Sequence, residues 1–110
     1  MTRPGTAAAA LLGAWACVAA AQVHEVPPEL WDRPRTASAI AAEESVRQPV
    51  LALIAQPESR LVIHHAAGQE PLLLAEELRS WLGALAIDPR RIVLRSDLAA
   101  GAPLRLEVTP

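Results

Sequence analysis

Residues 60–92, RLVIHHAAGQEPLLLAEELRSWLGALAIDPRRI, decide how the rest of the chain must fold. Leu61-Val62-Ile63 is a continuous apolar run, the composition of a central strand buried on both faces. Ala66-Ala67-Gly68 reads as a turn, and Pro71 stands at the first helical position, where a missing amide donor costs nothing. From there to Ala86, Leu74, Leu78, Trp81, Leu82 and Leu85 recur at helical spacing and define one apolar face, with Trp81 at its centre. Glu76, Glu77 and Ser80 fall on the opposite, solvated side, with Leu73 among them. Ile87-Asp88-Pro89 stops the helix, and Arg91–Arg95 supplies a second strand. A strand, a crossover helix and a parallel strand form a right-handed unit that needs further elements to cover it.

Those elements lie on both sides. Upstream, Thr36 or Ser38 caps a helix running to Ala55, with a break expected at Arg47–Pro49 because proline removes a helical hydrogen bond. Before it, Gln22–Arg35 is an extended leader held by Pro27-Pro28 and Pro34, with Leu30 and Trp31 as its apolar content and His24 and Glu25 solvated. Downstream, Ser96–Pro103 is a loop, and Leu104–Val108 alternates apolar and polar residues as a strand with one wet face does. The fold class is therefore α/β, an α+β sandwich with two helices packed on one face of a small mixed sheet. Three segments divide the chain: 1–21, a leader over 22–37, and a small α/β domain over 38–110.

The first of these has the layout of a secretory signal peptide: a basic start, an apolar run over Ala7–Ala16, and small residues up to Ala21, after which cleavage is expected. The alternative is a lipoprotein signal, in which Cys17 is acylated and the domain is membrane-anchored. Cleavage after Ala21 would discard Cys17, the sole cysteine, and with it any disulfide or thiolate-bound metal. All ten basic residues are arginine and they are dispersed, while acidic residues number twelve. With no basic cluster and little aromatic surface, nucleic acid is excluded as a partner.

The order of helix, strand, loop, amphipathic helix and strand is similar to that of the OmpA-like peptidoglycan-binding domain. The residues carrying the likeness are Leu53–Pro57, Leu61–His65, Ala75–Leu85 and Ala86-Ile87-Asp88-Pro89-Arg90-Arg91-Ile92. The resemblance implies a βαβαββ sandwich. In that family an Asp in the loop after the strand and an Arg on the helix grip the diaminopimelate of the peptide stem. Here the loop is His64-His65-Ala66-Ala67-Gly68, without Asp, and Leu74 stands where the Arg would. No ligand residue of the family carries over.

His64-His65 is the one pair that suggests chemistry. Adjacent strand residues point to opposite faces, so the two do not easily share a metal ion. One should face the helix layer and bond to backbone, while Asp97, Glu70 or His24 would have to approach for a metal site. No serine or cysteine sits in a setting suited to nucleophilic catalysis, and no cofactor motif is present. The expectation is an exported, non-enzymatic bacterial envelope protein, periplasmic or secreted, that binds or assembles with a protein partner. Its candidate surface joins His64, His65 and Gln69 to Leu72, Leu73 and Trp31. The alternatives are a divergent peptidoglycan binder and a periplasmic metal-binding protein using His64 and His65.

Overall fold

A computed structural model describes residues 22–110; the expected signal segment and Cys17 lie outside the described residues. The chain forms a four-stranded mixed sheet with helices on one face. Strand β1 (Val23–Glu25) leads through a 3-10 turn (Pro28–Asp32) into α1 (Ala37–Ala42) and α2 (Glu44–Ala55). Then follow β2 (Arg60–Ala66), α3 (Gln69–Ala84), a second 3-10 turn (Pro89–Arg91), β3 (Ile92–Leu98) and β4 (Arg105–Thr109). The sheet order is β1-β4-β2-β3, with β2 and β3 parallel and β4 antiparallel to both of its neighbours. The carboxyl ends of β1, β2 and β3 therefore meet at one end of the sheet. The element order is βαβαββ, as expected, with its first crossover in two helical pieces.

Alternation along each strand sorts the side chains into two layers. Leu61, Ile63, Ile92 and Leu106 join Ile40, Val46, Leu53, Leu78 and Leu82 in the buried core between sheet and helices. Val62, His64, Arg95, Arg105 and Glu107 lie on the face that no helix covers, where Val62 is nonetheless only 4% exposed beneath its longer neighbours. At the end of α3, Ala86 adopts a left-handed φ of 74°. The Ile87 amide donates to the Leu82 carbonyl (3.0 Å) and the Ala86 amide to that of Gly83 (3.0 Å), a Schellman cap.

Several expectations are corrected. His24 and Glu25 do not lie in an unpaired leader: they belong to β1, paired with Leu106 and Arg105 of β4, with Glu25 exposed and His24 half-buried. The leader also sends Val26 and Leu30 into the core. The helical break falls at Glu43, in extended conformation, and Pro49 lies buried inside α2. The apolar spacing explains the shift. Ile40 and Val46 are six residues apart and could not share a face of one continuous helix, whereas Val46, Pro49, Val50 and Leu53 share one. Breaking at Glu43 brings Ile40 back into phase. Helix α3 begins at Gln69 instead of Pro71, which leaves the proline in the first turn, where an amide is still not needed. Trp81 stands at the rim, half-buried, and Leu78 and Leu82 hold the centre.

Candidate functional site

The strand ends and their loops converge on an apolar cleft of about 260 Å³ at the carboxyl end of the sheet. Val26, Pro28 and Trp31 form its leader wall, Glu70, Pro71 and Leu74 its α3 wall, and the loop Gly101–Leu104 its third side. Local chemistry builds each wall. Gly68, at φ 116°, turns β2 directly into α3 and so sets the first turn of that helix beside the strand ends. Gly101, at φ 80°, turns the chain between β3 and β4. The Val26 amide donates to the Leu104 carbonyl at 2.9 Å and ties the leader to that loop.

A short polar chain fixes the leader against α3. The Arg35 guanidinium lies 5.2 Å from the centroid of the Trp31 ring and donates to the Trp31 carbonyl at 3.1 Å. It also pairs with Glu77 at 2.8 Å, and the Trp81 indole N–H donates to the other oxygen of that carboxylate at 3.1 Å. Glu77 is thus a connector between leader and helix, not a merely solvated charge. Its spacing of four residues to Trp81 was visible in the sequence; its link to Arg35, across 42 residues of chain, was not.

The six candidate residues separate into four places. Trp31 lines the cleft, half-buried against the core. Leu72 and Leu73, on the first turns of α3, are 37% and 57% exposed, and Gln69 is exposed at the helix start. His65 is buried, with Nδ1 bonded to the Ala66 carbonyl at 2.8 Å, so it supports the strand end and presents nothing to a ligand. His64 points to the opposite, helix-free face. Its Nδ1 lies 2.9 and 3.0 Å from the two Asp97 oxygens, and its Nε2 lies 2.9 Å from Glu107. The two histidines therefore cannot share an ion. Among the described residues no group of three or more His, Cys, Asp or Glu side chains is placed to hold a metal.

His64 is held above its ordinary pKa. Partial burial is the largest single influence and opposes the charge, but the hydrogen bonds and negative charges of Asp97 and Glu107 together outweigh it. Arg91 has a purely structural role that the sequence did not reveal. Its guanidinium donates to the carbonyls of Leu53 (2.8 Å), Gln56 (2.8 Å) and Ser59 (3.0 Å), closing the C-terminal end of α2 from β3's side of the molecule.

Compared with known proteins, the chain matches no family model, no curated protein and no solved structure. What the geometry defines is a small α+β domain with an apolar cleft at its strand ends. Among the described residues no helix is long and apolar enough to cross a membrane.

Proposed function

We propose that this chain is an exported, non-enzymatic module of the bacterial cell envelope, periplasmic or secreted, that docks a protein partner at the cleft bounded by Trp31, Pro71 and Leu74. One observation carries the reading: Leu72 and Leu73 stand exposed on the first turns of α3, the same turns whose Glu70, Pro71 and Leu74 line an apolar cleft. Large apolar side chains gathered next to a concavity mark a contact surface more than scattered ones do. Removal of the first 21 residues as a signal peptide places the module outside the cytoplasm. Acylation at Cys17 instead would leave the same domain tethered to a membrane.

Replacing Leu73 with Glu puts a charge on that surface without touching the core, so folding is preserved and the contact is lost. Pull-down from envelope extract tests it: a protein retained by the wild type and absent with Leu73→Glu supports the reading, and identical captures retire it.

A second reading, a divergent peptidoglycan binder, is favoured by the βαβαββ order that the OmpA-like resemblance implies. Leu74, at the position of that family's Arg, lines the cleft and would make the ligand chemistry apolar where the family's is ionic. Sedimentation with purified sacculi separates the two readings, since only the wall binder is carried down.

A further inference from the structure

The helix-free face of the sheet carries a second feature that bears on the same cleft. We infer that His64 is a proton-dependent clamp on the β3–β4 loop, the segment that forms the third wall of the cleft. This rests on the cleft reading for its functional consequence, but not for its physics.

Three strands meet at the imidazole. His64 comes from β2, Asp97 from the end of β3 and Glu107 from β4, and both ring nitrogens face carboxylate oxygens within 3.0 Å. A neutral imidazole carries one N–H, and an ionised carboxylate only accepts. Both contacts are made at once only by the imidazolium, which donates from each nitrogen. Its proton competes well against the carboxyls, because an imidazole is by nature more basic than Asp or Glu. The surrounding charges are Arg95 on β3 and Arg105 on β4, each in register with His64, and Glu25 on β1, which lies 3.7 Å from Arg105. The two arginines oppose the imidazolium, but both are exposed and Arg105 is partly neutralised by Glu25, so the carboxylates in direct contact dominate.

Loss of the proton breaks one side of the clamp. A bare ring nitrogen would then face a carboxylate, and the carboxylate that rehydrates at less cost leaves. That is Asp97, whose side chain is 48% exposed against 26% for Glu107. Asp97 also sits where the β2–β3 register slips, between the pairs His65–Ser96 and Ala66–Leu98, and has no paired residue of its own on β2. Two residues further on begins the loop that supplies Gly101, Ala102, Pro103 and Leu104 to the cleft. The imidazolium therefore anchors both stems of that loop, and deprotonation frees the β3 stem. Acid conditions keep the cleft wall fixed; alkaline conditions loosen it.

Hydrogen exchange on the full chain, free of any partner, tests this. Protection factors, which remove the intrinsic pH dependence of exchange, are compared at pH 5.5 and pH 8.5 for the loop bonds, read at the Ala102 amide (to the Ala99 carbonyl) and the Val26 amide (to the Leu104 carbonyl), and for Leu78 and Leu82 of α3. The expected result is a severalfold loss of loop protection at the higher pH, with the α3 amides unchanged, and no such step in His64→Gln. Asp97→Asn provides a second variant should His64→Gln fail to fold, and it too should flatten the response. Equal loop protection at both pH values in the wild type, or a step that survives in either variant, overturns the clamp. Because no ligand is present, a clamp that holds while Leu73→Glu captures normally condemns the docking reading alone, and the reverse pattern condemns the clamp alone.

Discussion

Arg91 shows how much of this fold hangs on single side chains at a distance. Its guanidinium gathers three carbonyls from the end of α2 and from the turn that follows, and the Ser59 hydroxyl as well. Hydrogen bonds to a charged donor contribute about 1.5–3 kcal/mol, and these hold the end of α2 to the chain entering β3. Arg91→Ala should lose stability in that range in urea unfolding, and Arg91→Lys should recover only part of it, since a lysine cannot reproduce the planar fork.

The titration of His64 sets the sign of the pH response at the same scale. Its pKa in the folded chain is raised, so the stabilisation it provides is complete below the ordinary histidine value of about 6.5 and disappears as pH rises through the folded value. Denaturant midpoints of the wild type should therefore fall on going from pH 6 to pH 8.5 relative to His64→Gln; parallel profiles for the two would contradict the pairing. The sequence put the two histidines on opposite faces and named Asp97 only beside Glu70 and His24, as residues that would have to approach for a metal site. Glu107 was invisible, because which strand lies beside β2 is decided by the sheet order and not by any residue near His64.

Helix α3 was the most legible element, and its register is informative about where legibility stops. The apolar period gave the buried face correctly, but Leu78 and Leu82 are fully buried while Trp81 is at the rim, its indole N–H turned to Glu77. A large side chain with a polar atom does not reach the core centre unless a partner waits there, and here the partner is near the surface. Leu78→Ala should therefore cost about 2–5 kcal/mol and exceed Trp81→Ala, which falls below the loss expected for a fully buried tryptophan. Equilibrium unfolding of the two variants checks the ranking. The end of the same helix offers a gain: Ala86 occupies the left-handed position of the Schellman cap, where a glycine pays no steric penalty. Ala86→Gly should raise stability by about 1 kcal/mol, seen as a higher midpoint with unchanged slope. The break at Glu43 was misplaced for a different reason. Proline is the strongest local breaker in a sequence, but Pro49 lies within an apolar stripe that only one unbroken helix can bury, and burial outweighed the lost hydrogen bond.

For the whole molecule, the class of fold followed from one strand and one helix, because a parallel crossover leaves few ways to complete a small domain. The leader did not follow. β1 is only three residues long and runs straight into Val26 and Pro27, and a strand that short carries no periodicity of its own; it is defined by its partner β4. The cleft emerges only at this scale, since its three walls come from segments separated by dozens of residues. Docking at that cleft is the claim on which the functional account stands. The most direct measurement is photo-crosslinking in envelope preparations from a reactive side chain placed at position 73, with position 79, on another face of α3, as the comparison. A discrete protein adduct formed from position 73 and not from position 79 is the predicted result. No adduct from position 73, or the same adducts from both, would contradict it.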